Sequence, residues 1–280
     1  MHAPSRWSIC GWLICLLPLL SSGATRAADP SAVGDDTIML LSDEAADTCI
    51  QDVDCMGHLF EHAVFGGDQA SDEGPRMLFK WSRPVHIASF IGSQVADDVQ
   101  AANSSWHQQM GVIATLAGSD LSQVEGDADQ VVNFVLLISD DFARDRDQAF
   151  LALLEGVFAG RSALYDRLAS GTSPVCRAEL FAESNASIGG GLALVESDVD
   201  AAELARCLHR VVLNVLGLRH PLPDGVDSVL SPDSARQAWT SIDFLLLRML
   251  NDPAVTPGMT MDELAAVFPQ IHQRALRPSS

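Results

Sequence analysis

Two stretches of this 280-residue chain place side chains at spacings that could do chemistry. In His58-Leu59-Phe60-Glu61-His62, a helix would set two histidines one turn apart on a single face, with a carboxylate beside them. Such a pair can ligate zinc while the glutamate moves a proton, the H-x-x-E-H arrangement; exposed surface histidines are the plain alternative. The second stretch runs from Asp200 to His220. Its polar residues Arg206, Arg210 and Asn214 fall on one helical face, and Gly217 is followed by His220. A guanidinium suits a carboxylate, so Arg210, Asn214 and His220 form a candidate binding cleft. A plain polar helix face is the competing reading.

Other chemistries find little footing. No G-x-S-x-G is present. The run Gly189-Gly190-Gly191 lacks the lysine and following helix of a phosphate loop. Glu125 to Asp129 lacks the pattern and distal glutamate of a calcium loop. His209 points about one residue away from the face carrying Arg210 and Asn214, and His86 alternates with apolar neighbours as a strand residue would. The formal charge of -20, with Lys80 as the only lysine, argues against nucleic acid and anionic membrane surfaces as partners.

Residues 1–27 read as a signal peptide: Arg6 precedes the apolar run Trp12 to Leu20, and small residues follow up to Ala27-Ala28. The expectation is a periplasmic or secreted acidic protein, with one domain over 28–280, a helical part from about residue 200, and no integral membrane segment after processing. The mature protein would keep Cys49, Cys55, Cys176 and Cys207. Four cysteines allow three pairings, and an exported protein favours disulfides over a four-cysteine zinc site, which would want C-x-x-C pairs. The pairing taken is Cys49 with Cys55, a local link, and Cys176 with Cys207, a link from a strand start to the Asp200 helix.

These residues need elements to hold them. Asp43 to Phe65 reads as one helix stopped by Gly66-Gly67, and Val85 to Phe90 as a strand. Val95 to Leu116 reads as a helix ending at Gly118, with Trp106 and Met110 facing the core. Val131 to Ile138 is a buried strand, and Asp140 to about Ala169 is helical with a break near Gly160. Arg177 to Ser184 and Leu192 to Ser197 are strands joined through 185–191, as a hairpin or with a broad loop. Asp200 with Glu203 makes a capping box, Leu204, Cys207, Leu208, Val211, Val212, Val215 and Leu216 recur at helical spacing, and Gly217 is the stop. Helices over Pro232 to Leu250 and Met261 to about Leu276 follow, joined by a rigid Pro253 to Gly258 connection.

The Asp200 helix resembles that of metzincin zinc proteases, His-Glu-x-x-His-x-x-Gly-x-x-His. With Gly217 on the motif glycine, Arg210 and Asn214 take the helical ligand positions, Val211 the glutamate and His220 the third ligand. Arginine does not deprotonate to bind zinc, asparagine is a poor ligand and valine moves no proton. From about Phe65 to Ile271 the sequence also resembles an uncharacterised exported proteobacterial family, the domain of unknown function two-nine-two-seven. Lys80-Trp81, Pro84-Val85, Cys176, Cys207, Gly217-Leu218, Thr240, Asp243, Leu246-Leu247-Arg248, Asp252-Pro253 and Pro257 to Thr260 carry that likeness. Ser228 to Pro232 falls where matrix-metalloprotease-like proteins place a methionine turn. Together the resemblances imply an α/β (α+β) zincin-like fold: a mixed sheet flanked by helices, ending in a helical part. They imply a pseudoprotease without a cofactor that binds a peptide, envelope component or protein partner. The alternative is a zinc-dependent hydrolase built on His58, Glu61 and His62, or around His220.

Overall fold

The computed structural model describes residues 44–66, 76–92, 109–115, 117–124, 131–142, 155, 162–170 and 176–277. Its elements are α1 (Glu44–Gln51), α2 (Val53–Phe65), β1 (Val85–Ile91), β2 (Leu121–Gln123), β3 (Phe134–Ser139), α3 (Ser162–Ala169), β4 (Cys176–Ala182), β5 (Ile188–Glu196), α4 (Ala201–Leu216), α5 (Ser241–Leu250) and α6 (Met261–Ala275). The strands form one five-stranded sheet in the order β2-β1-β3-β5-β4. Only β4 runs antiparallel to its neighbour. A mixed sheet flanked by helices, with a helical C-terminal region, is the architecture expected from the sequence.

The central strand explains the layering. Every residue of β3 is buried, as a strand covered on both faces must be. Val135 and Leu137 join Leu192 and Leu194 of β5 under Leu164, Tyr165 and Leu168 of α3. Phe134, Leu136 and Ile138 join Ala193 and Val195 in the larger core beneath α4, α5 and α6. The period of two divides one apolar run between two cores. Val131, placed in the strand by its residue type, lies outside it and is 78% exposed.

Several boundaries differ from the sequence expectation. The single helix over Asp43 to Phe65 is two, because Asp52 is extended and its side chain accepts from the Asp54 and Cys55 amides, capping α2. The Cys49–Cys55 disulfide spans that break, with its Cα atoms 5.4 Å apart. Gly189, Gly190 and Gly191 lie within β5 rather than in a loop, and β4 and β5 form a hairpin turning at 183–187. The reason at Gly191 is space: a Cβ there would meet Leu180 and the Phe134 ring at 2.7 Å. The expected helix from Pro232 begins only at Ser241. Residues 232–239 are instead tied outward, through Ser234 O to Arg206, Arg236 to Asp227 and Trp239 Nε1 to His209 O. The expectations on Trp106, Glu125 to Asp129 and Gly160 lie outside the described residues.

α4 begins as expected, with the Asp200 carboxylate accepting from the Glu203 amide at 2.8 Å. The reciprocal half of the capping box is replaced by an ion pair between Glu203 and Arg206. Gly217 ends the helix at φ 115°, where an L residue is strained, and hydrogen bonds from Gly217 N to Asn214 O and Leu218 N to Leu213 O close the turn. Cys176 and Cys207 are bonded, fixing α4 to the start of β4 with Cα atoms 5.7 Å apart.

Candidate functional site

Three segments meet at the C-terminal end of α4. The backbone leaving Gly217 lies against the end of α2, where the Arg219 and His220 amides both donate to Ala63 O, at 3.0 and 3.1 Å. An extended strap before β1 comes alongside. Its Met77 bridges to Thr260, Leu78 N donates to Met259 O, and Gly258 N donates back to Leu78 O. The Lys80 ammonium donates to Asp252 O and Val255 O, and Trp81 Nε1 to Val215 O. Burial lowers the Lys80 pKa, against the pull of Asp252. Many of the residues that carry the family likeness, Lys80, Trp81, Gly217, Asp252, Gly258 and Thr260 among them, therefore act as joints between the strap, α4 and the C-terminal turn.

The polar face of α4 is spent on the loop that follows it. Arg210 Nε donates to Val229 O at 3.0 Å and its NH2 group to Ser231 O at 3.4 Å. Arg206 donates to Ser234 O, and Asn214 Nδ2 to Leu218 O at 2.7 Å. Val211 is buried. What sets the loop is Asp243, at 0% exposure. Its carboxylate accepts from Ser228 Oγ, the Val229 amide, the Thr240 amide and Thr240 Oγ1. Burial pushes its pKa up to about 6, with those four donors pulling the other way. One aspartate thus caps α5 and pins 228–229, which sets the loop so that Arg210 reaches the Val229 and Ser231 carbonyls.

The remaining candidates separate. His220 does not share the partners of Arg210 and Asn214; its ring sits against Gly66, where a Cβ would come within 2.6 Å of Nδ1. Its pKa falls to about 4 through burial first, then the positive charge of Arg219, His62 and Arg76. His58 and His62 lie on one face of α2 as the spacing requires, with ring centroids 6.1 Å apart, but His62 Nδ1 is engaged with Pro221 O at 2.9 Å. His58 is exposed and Glu61 half-buried. His209 is buried, engaged at both ring nitrogens by Ala205 O and Gln109, and edge-on to Trp239. His86 pairs with Ser122 across β1 and β2. Among the described residues no group of three or more His, Cys, Asp or Glu residues could hold a metal ion. The α4 face does not fit zinc either, since a guanidinium, a carboxamide and a valine occupy the positions a ligand set would need.

Sequence reasoning passed over Arg219. Its guanidinium lies over the Phe79 ring, 4.6 Å from the centroid. Among the described residues nothing accepts a hydrogen bond from it. Burial lowers its pKa, and Glu179 nearby raises it; Glu179 is itself held by Arg167 at 2.9 Å. The only sequence signal was its place between the glycine turn and His220. A separate cleft of about 290 Å³ lies between the strap and Gly118 to Asp120, lined also by Leu216 and Asn251. The lysine at its edge is spent on backbone carbonyls.

The fold and site define a disulfide-braced mixed α/β protein whose α4 helix is bonded to its own loop. The chain belongs to the family described as protein of unknown function (DUF2927), whose model matches residues 55–270. No curated protein and no solved structure matches it. Among the described residues no helix is long and apolar enough to cross a membrane.

Proposed function

We propose that this is an exported, zincin-like family member without zinc-protease chemistry, working by binding a peptide, envelope component or protein partner. The observation that carries this reading is the occupied face of α4. Arg210 and Asn214 donate to Val229, Ser231 and Leu218 carbonyls, and buried Val211 stands where a proton-moving glutamate would be needed. Two disulfides in a protein beginning with a signal-like segment favour an oxidising compartment, periplasmic or extracellular. The zincin-like reading of the fold is supported by the α4 helix and its glycine turn at Gly217. Metal analysis of the disulfide-intact mature protein tests the proposal. Substoichiometric zinc after equilibration, together with no peptide-bond cleavage, is expected. One zinc per molecule, lost in His62→Ala or His220→Ala, refutes it.

One observation favours a metal-dependent hydrolase instead. The contact of His62 Nδ1 with Pro221 O fixes that ring and leaves Nε2 to a ligand, as outer-shell contacts do for metal-bound histidines. The positive charge of Arg219 and Arg76 acting on His220 opposes a cation there. The same metal analysis decides between them.

A further inference from the structure

We propose that Arg219, over the Phe79 ring and next to His220, is a recognition site for a carboxylate carried by a peptide partner. This deepens the binding reading above and rests on it. In a protein of formal charge -20, the electrostatic neighbours of His220 are Arg219, His62 and Arg76, a local gathering of basic groups against the overall balance. The fixed positive charge of Arg219 beside a neutral His220 favours an anion there. Arg219 is the member equipped to hold one. Phe79 lies beneath its guanidinium carbon, and its rigid fork of N–H donors, which no described group takes, suits a planar acceptor.

The backbone fixes where that fork stands. The amides of Arg219 and His220 are both bound to Ala63 O, Gly217 sets the direction of the turn, and the Pro221 carbonyl is held by His62. The site is therefore positioned by α2, α4 and the strap together. A singly charged, planar group fits better than a phosphate dianion. Glu179 already offsets part of the positive field, yet it stays with Arg167 and does not reach over to occupy the fork. A bidentate guanidinium–carboxylate pair then forms in a half-buried setting, where it is stronger than in water. His220, neutral through burial and its cationic neighbours, supplies shape and one ring nitrogen rather than charge. The free C-terminus of a peptide and an acidic residue within one offer the same group.

The test titrates the disulfide-intact mature protein calorimetrically with three N-acetylated alanine tripeptides. One has a free C-terminal carboxylate, one is amidated, and one is amidated with a single internal aspartate. Binding of at least one carboxylate peptide is expected, with the uncharged amide weaker by about tenfold or more. Which carboxylate peptide binds identifies the source. Arg219→Lys keeps the charge and loses the fork, and is expected to cost about tenfold for the same peptide at unchanged melting temperature. Arg219→Gln is expected to abolish the difference between charged and amidated peptides. The proposal is overturned if all three peptides bind alike, if none binds at millimolar concentration, or if folded Arg219→Lys and Arg219→Gln both match the wild type. None of these results touches the zinc measurement, so this inference and the reading beneath it fail separately.

Discussion

Replacing Asp243 by asparagine puts the hub of the structure to a quantitative test. The carboxyl is at 0% exposure, and its pKa rises from 3.8 in the unfolded state to about 6 in the fold. A folded pKa above the unfolded one means that the native state holds the proton more tightly. Stability from this group is thus fully present below pH 3.8 and is lost as pH climbs to about 6. At about 1.4 kcal/mol per pKa unit, the loss is about 3 kcal/mol. Asparagine imitates the protonated acid. Its carbonyl can accept from the Val229 and Thr240 amides, and its amide can donate to Ser228 Oγ. The variant has no such loss. His220, with its pKa depressed to about 4, acts in the opposite sense over an overlapping interval: its contribution is present above 6.5 and lost as pH falls toward 4. For that reason the difference between the two proteins is what is read, since every shared titration cancels. Urea unfolding of both, near pH 4 and near pH 7.5, is expected to show the stability gap moving in the favour of Asp243→Asn by about 2.5 kcal/mol as pH rises, the rest of the loss falling below pH 4. A gap that stays constant, or moves toward the wild type, refutes the reasoning. It would mean that the four donors outweigh burial and the carboxyl titrates in the ordinary range or below.

Further outcomes follow from the same contacts. Removing the Cys176–Cys207 disulfide, which closes a separation of 31 residues, is expected to cost about 3–4 kcal/mol, against about 2 for Cys49–Cys55 with its separation of 6; a reversed order in urea unfolding would count against the loop-entropy account here. Gly217→Ala at φ 115°, with its Cβ 3.0 Å from Leu250, is expected to lose about 1–2 kcal/mol in a thermal or urea melt, and an unchanged melt would contradict the left-handed cap. Gly66→Ala places a methyl on the His220 ring, so displaced His220 ring resonances are expected, and unchanged ones would remove the contact between α2 and the post-helix turn.

Much of this protein was legible in its sequence because the deciding interactions are local. Asp200 and Thr260 cap helices through amides three residues on, and Gly217 and Gly66 stop helices by a conformation other residues avoid. Of the three pairings the four cysteines allow, the favoured one is formed, and the apolar run read as a buried strand over Val131 to Ile138 is a strand over Phe134–Ser139. Tertiary structure decided what local pattern leaves open. Gly189 to Gly191 look like a loop until the Phe134 ring, from a strand more than fifty residues earlier, fills the place of a side chain at Gly191. Pro232 to Thr240 has the letters of a helix start, but Asp227, Arg206 and His209 draw it out. The site shows the limit most plainly. Helical spacing selects Arg210 as the arginine for a ligand, because spacing reports only which residues share a face. Whether that face meets solvent or the protein's own carbonyls depends on where Asp243 holds Ser228 and Val229, a contact across fifteen residues and a change of direction. With Arg210 bound to that loop, Arg219, beyond the helix, is an arginine whose donors no described group takes, a distinction made by the fold alone.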